Sequence, residues 1–276
     1  MKSVKLPGGD VVSAMGQGTW KMGERAARRS YEIAALRAGV ELGLTLIDTA
    51  EMYGDGAAET LVGEALSDLR DQLFLVSKAY PQNASRARLT LACEASLKRL
   101  GTDRLDLYLL HWRGSVPLAE TVEAMEALRS DGKIRHWGVS NLDVDDMAEL
   151  VAAGGQGCAT DQILYNLTRR GPELDLLSWL AEHDVPVMAY SPVEQGRLLD
   201  DPTLGKVAAK IGASPAQVAL AWTLRHEGII AIPKAGLVAH VRENCGAADL
   251  VLSDADLATL DAAFPRPGRR RPLEML

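Results

Sequence analysis

The stretch LTLACEASLKRLGTDRLDLYLLHW, Leu89 to Trp112, decides the fold. Leu89, Cys93, Leu97 and Leu100 fall on one helical face, and Gly101 follows where a helix would end. Leu105 to His111 is then a continuous β-rich run. The same phrase recurs along the chain. Ile33, Leu36 and Val40 precede Gly43 and the run Leu44 to Asp48. Leu118, Val122, Met125 and Leu128 precede Gly132 and the run Ile134 to Ser140. Further strands are expected at Ala14–Gln17, Phe74–Ser77, Ala159–Leu164, Pro186–Tyr190 and Gly228–Pro233. Several are apolar throughout, as strands buried on both faces are. Eight strands about 30 residues apart, with helices between, give an α/β fold of the (β/α)8 TIM barrel type. PGGD at Pro7 to Asp10 predicts an N-terminal β-hairpin ahead of the barrel.

The chain has 276 residues, a size that suits one such barrel. Residues 1–276 read as a single domain, with 264–276 as a short tail. Hydrophobic residues make up 47% and charged residues 24%, which excludes wholesale disorder. A net charge of −7 argues against a nucleic-acid partner. The cysteines, Cys93, Cys158 and Cys245, are too far apart for a zinc ribbon or a disulfide framework, and no metal is expected. The N-terminal residues lack a signal-peptide core, and no apolar run is long enough to span a membrane. A cytoplasmic location is expected, as a monomer or weak homo-oligomer.

In such barrels the chemistry lies at the C-terminal ends of the strands. Those ends carry Asp48 and Tyr53, Lys78, His111, Ser140 and Asn141, Gln162, Tyr190 and Lys234. Taken singly, Asp48 reads equally as a helix N-cap, Lys78 as a solvated loop lysine and His111 as a structural histidine. Their joint placement on one rim points to a site. A tyrosine is a poor acid at neutral pH, and a neighbouring ammonium stabilises its phenolate and would lower its pKa. A buried lysine needs a partner such as Asp48. A histidine beside them can orient a substrate oxygen. This set suits protonation of a carbonyl oxygen as it becomes an alkoxide. No redox side chain is visible, so a hydride-donating cofactor is implied.

These motifs, in this order from GQGTW (Gly16 to Trp20) to VREN (Val241 to Asn244), resemble the aldo-keto reductase superfamily over nearly the whole chain. The resemblance implies an NAD(P)H-dependent reductase with a catalytic tetrad. Tyr53 would be the general acid, tuned by Lys78 and Asp48, and His111 would orient the carbonyl. Ser140, Asn141 and Gln162 would hold the nicotinamide amide, Tyr190 would stack on its ring, Thr19 would lie beside its ribose, and Asp48 would also belong to the cofactor site. The loop Ser191 to Leu198 would cover the pyrophosphate, through Ser191, Pro192, Gln195, Gly196, Arg197 and Leu198. Lys234, His240, Arg242, Glu243 and Asn244 would take the adenosine end. Trp20, Tyr80 and Trp112 would wall the substrate pocket.

Ala235 and His240 depart from the Ser and Arg that relatives often use to hold a 2′-phosphate. NADPH is the expected cofactor, with NADH left open. His240, if it meets the phosphate, would make affinity weaken as pH rises through ~6.5. The short tail implies an open pocket, and Arg269 to Arg271 read as a solvated basic run. The wording of Leu42 to Gly56 and Met188 to Leu198 resembles bacterial reductases of methylglyoxal and other small aldehydes. Two other readings stand beside this one. A Schiff-base aldolase could use Lys78 or Lys234. A non-catalytic sensor could bind the nicotinamide cofactor without turnover.

Overall fold

The first and last barrel strands meet at glycines. A computed structural model describes residues 2–276; Met1, within the expected span, lies outside them. A hairpin of β1 (Ser3–Lys5) and β2 (Val11–Ser13) comes first, antiparallel, turning through Pro7–Asp10. The barrel strands follow as β3 (Gln17–Gly18), β4 (Leu46–Asp48), β5 (Phe74–Ala79), β6 (Leu105–Leu110), β7 (Ile134–Ser140), β8 (Cys158–Leu164), β9 (Val187–Tyr190) and β10 (Ile229–Ala231). Each pairs in parallel with the next. Parallel bridges from Met15 to Ala231 and from Gly18 to Lys234 close the ring. A Cβ at Gly18 would lie 2.6 Å from the Ile232 carbonyl oxygen, so only glycine lets the seam close.

Helices cover the outside: α1 (Arg29–Glu41), α2 (Ala57–Leu66), α3 (Arg86–Leu100), α4 (Leu118–Ser130), α5 (Val144–Ala152) and α6 (Leu176–Glu182). After β9 come α7 (Pro202–Ile211) and α8 (Pro215–Thr223); α9 (Val238–Cys245) and α10 (Asp254–Ala263) end the fold. The decisive stretch folds as its pattern requires. Leu89, Cys93, Leu97 and Leu100 are buried on α3, and Gly101 ends it at φ 66°.

Four expected strands are shorter than read, Leu105–His111 and Pro186–Tyr190 by one residue, Leu44–Asp48 and Gly228–Pro233 by more. Leu44 donates its amide back to Gly39, 2.9 Å, so it still belongs to the turn that ends α1. Pro233 has no N–H to continue the last strand. The first strand begins later than expected, although Ala14 and Gly16 already bond across the seam to Ala231.

The apolar runs divide between two cores. Met15, Leu46, Val76, Leu107, Met188 and Ile230 fill the barrel interior. Leu36, Val62, Leu97, Met125 and Trp137 pack between sheet and helices. That is why the strands do not alternate in sequence. In β8 the register slips: Trp137 pairs with Cys158, but Val139 pairs with Asp161. One extra residue in β8 therefore bulges, and it resets which side chains face inward. Among the described residues, no helix is long and apolar enough to cross a membrane.

Candidate active site

Asp48 ends β4, Lys78 lies one residue from the end of β5, and His111 directly follows β6. Tyr53 is carried by the turn after β4, where Gly54 and Gly56 adopt φ 57° and 85°. This turn brings the phenol over the barrel mouth.

The four side chains converge. Lys78 is 0% exposed. Its Nζ donates to Asp48 Oδ2 at 2.9 Å, to the Thr49 carbonyl at 2.9 Å and to Tyr53 Oη at 3.0 Å. These contacts use all three ammonium protons. Gln162 Nε2 donates to the other Asp48 oxygen at 2.8 Å. The Tyr53 and His111 rings stand edge to face at 5.8 Å, and Trp20 meets Tyr53 at 5.0 Å. The buried His111 Nδ1 has no hydrogen-bond partner among the described residues.

One electrostatic expectation is corrected. Burial, and then the Asp48 charge, hold the Tyr53 phenol well above its usual pKa. The Lys78 ammonium does not offset that burial, and burial depresses the lysine's own pKa, against the pull of Asp48. The phenol is therefore a firmly protonated donor whose oxygen already accepts from an ammonium. Lys78 stabilises the phenolate once the proton has left. His111 is pushed down to about 2, first by burial and then by the Lys78 charge, so its imidazole is neutral.

Asp48, Tyr53, His111 and Gln162 form the floor of a cavity of about 770 Å³. Trp20, Trp112 and Met52 wall it near Tyr53. Thr19, Ser140, Asn141, Gln162 and Tyr190 line its middle. Asn141 is a cross-link there: its amide donates to the His111 carbonyl at 3.1 Å and accepts from the Tyr190 hydroxyl at 3.0 Å. Ser191, Pro192, Gln195 and Gly196 form one rim, and Lys234, His240, Glu243 and Asn244 line the far end.

Five expected residues do not line the cavity. Lys78 lies behind Tyr53. Leu198 is a core residue, and Leu199 takes its place at the wall. Arg197 pairs with Glu194 instead, and Arg242 faces solvent. Tyr80 packs edge-on against Trp112, a layer back. Lys21 was missed although it adjoins Trp20 in sequence. Pro215 and Ala216, at the start of α8, also line the wall and were missed.

The comparisons with known proteins bear on this site. The profile described as the aldo/keto reductase family matches residues 14–264. The chain belongs to the aldo/keto reductase family. Among curated relatives, methylglyoxal reductase YeaE of Escherichia coli K12 is 55% identical, over 100% of this chain and 99% of that protein. Glyoxal reductase of Bacillus subtilis is 34% identical, over 94% of this chain and 92% of that protein. A Klebsiella pneumoniae aldo/keto reductase, solved in complex with NADP and acetate, superposes at TM-score 0.97 with 53% identity. That match covers 100% of this chain and 99% of the other.

This aldo/keto reductase also carries a strap that its tail sequence did not announce. Met275 and Leu276 line the cavity, so the expected open pocket is corrected: residues of the short tail wall it. Arg169 explains how. It pairs with buried Glu194 and with Glu274, each at 2.8 Å. Glu194, at φ 50° in the loop after β9, also accepts from Asn166 at 2.8 Å. Nearby, Arg270 pairs with Asp175 at 2.7 Å, so the basic run is partly an anchor.

Proposed function

We propose that this chain reduces small aldehydes and ketones to alcohols with NADPH, methylglyoxal being among the substrates. One observation carries the reading: the Lys78 ammonium holds the Tyr53 oxygen at 3.0 Å while Asp48 balances its charge, at the floor of the cavity.

The cavity suits the cofactor. Its lining offers the cations Lys21 and Lys234, the latter beside His240 at the far end, which fits a polyanionic tail. Its middle offers the amides of Asn141 and Gln162, which fit a carboxamide. Tyr190 presents a ring for stacking. Ser191, Gln195 and Gly196, at φ 48°, 56° and 88°, make a tight loop suited to phosphates. When bound, reduced nicotinamide supplies the electron pair that the carbonyl carbon receives. The protein's own part is proton delivery. Neutral His111 orients the substrate oxygen toward Tyr53. Tyr53 gives its proton to that oxygen, and Lys78 stabilises the phenolate left behind. Trp20 and Trp112 exclude water from the apolar end. The substrate class rests on the relatives named methylglyoxal and glyoxal reductases. Two free thiols, Cys93 and Cys158, lie buried in the core, which suits a reducing cytoplasm.

The aldolase reading loses Lys78, because every proton of its ammonium is engaged and its amine does not reach the cavity; Lys234 lines the cavity, but at the end away from Tyr53 and His111. The complete tetrad weighs against a non-catalytic sensor. The test is absorbance loss at the reduced-nicotinamide band with methylglyoxal, for the wild type and Tyr53→Phe. Turnover by the wild type and a rate at least roughly 10²-fold lower in the variant are expected; equal turnover overturns the assignment.

A further inference from the structure

Asp161 is a buried carboxyl that the chemistry above does not use. It is 0% exposed, and neither oxygen has a hydrogen-bond partner. Such a group is costly, so its place calls for a reason. The β8 bulge supplies the geometry. Cys158 faces the outer core with Trp137, and three residues later Asp161 pairs with outward Val139. The extra residue thus turns Asp161 out and Gln162 in, toward Asp48.

Behind the sheet, Asp161 faces the backbone amide of Leu142 without a well-formed hydrogen bond to it, while the adjoining Asn141 amide donates to the Gln162 carbonyl at 3.0 Å. These amides belong to a strained turn, because Asn141 has φ 61° without being glycine. Asn141 is also the cross-link between the His111 carbonyl and Tyr190. Its position therefore sets the middle of the cavity.

We propose that Asp161 is a positioning residue that braces the Asn141 turn from behind and so fixes the amide joining His111 to Tyr190. Burial, with Asp146 and Asp143 nearby, keeps its carboxyl well above the usual range and hence neutral. Of those two, Asp146 is paired with Arg113, and Asp143 caps α5. A neutral acid resembles an asparagine amide in shape and can accept from the turn. The inference rests on the reading that Asn141 holds the nicotinamide amide.

The test compares two probes, NADPH and 2′-phospho-ADP-ribose, which lacks the nicotinamide. Binding is read from tryptophan fluorescence. Asp161→Asn should bind both as the wild type does. Asp161→Leu should weaken NADPH about tenfold but the fragment less than twofold, since only the nicotinamide end depends on Asn141. Asn141→Ala should reproduce that split, and combining it with Asp161→Leu should add little. If leucine does not fit the layer, Asp161→Ala serves in its place. Equal weakening of both probes, wild-type NADPH affinity in the leucine variant, or a selective loss in Asp161→Asn overturns the proposal. A wild type that binds the fragment as tightly as NADPH overturns the cofactor reading instead.

Discussion

Lys78 and Tyr53 are joined by a hydrogen bond of 3.0 Å in which the lysine donates and the tyrosine accepts. The phenol's own proton is thereby left for another acceptor. Removing the hydroxyl should leave the cavity intact. Tyr53→Phe is expected to lower kcat by roughly 10²- to 10⁴-fold. Its NADPH affinity should stay within about twofold, since the ring remains. Steady-state kinetics and a binding titration check both.

Lys78→Met leaves Asp48 buried without its cation. Losing one partner of a buried pair costs about 3–5 kcal/mol. Asp48→Asn added to Lys78→Met should recover much of that stability and none of the turnover. Urea unfolding beside an activity assay separates the two effects; a double variant as unstable as the single one would refute the pairing argument.

The neutral state of His111 predicts a pH effect on folding. Its pKa is about 2 in the fold, against ~6.5 when unfolded. Below ~6.5 the unfolded chain takes up a proton that the fold refuses. Stability should fall with pH there, by up to about 1.4 kcal/mol per unit. His111→Gln should lack this component. Unfolding curves at several acidic pH values measure it, and kcat/KM should show no inflection from this histidine between pH 5 and 8.

Asp161 predicts the opposite slope. Its folded pKa is raised, so above ~3.9 the unfolded chain releases a proton that the fold keeps. This residue's contribution should fall as pH rises until the folded carboxyl itself ionises. Asp161→Asn should be more stable than the wild type at pH 8 and gain less at pH 5. An unchanged difference across that range would contradict a neutral Asp161.

The tail should limit substrate size. Deleting residues 274–276 removes Met275 and Leu276 from the cavity wall and Glu274 from Arg169. KM for bulky aldehydes should fall relative to that for methylglyoxal. Glu274→Gln should act in the same direction but more weakly, because Glu274 is half-exposed and such pairs are worth ~0–1 kcal/mol. A panel of aldehydes of graded size checks the order.

The rim of the site was legible because each barrel strand is an apolar run that stops at a polar residue. Asp48, Lys78, His111 and Gln162 are visible that way. Gly101 and Gly132 were legible as helix endings because a left-handed position favours glycine. Other features leave no local mark. The β8 bulge is a matter of pairing with β7, not of composition. In the loop after β9, Ser191, Glu194 and Gln195 are left-handed without being glycine, so sequence alone did not tell Leu198 from Leu199. The tail's contact with the cavity depends on Arg169, some 105 residues away. The protonation of Tyr53 depends on burial, which no neighbouring letter records.

The bond from Gln162 to Asp48 spans 114 positions of sequence. A growing chain that had just completed β6 and His111 would hold every member of the tetrad. It would still lack the amide that gives Asp48 its second side-chain donor, and the β8 bulge that aims it. The acid is thus assembled before its last support exists. Activity in this molecule is a late reporter of folding: an N-terminal piece, however native its first strands, would be chemically silent.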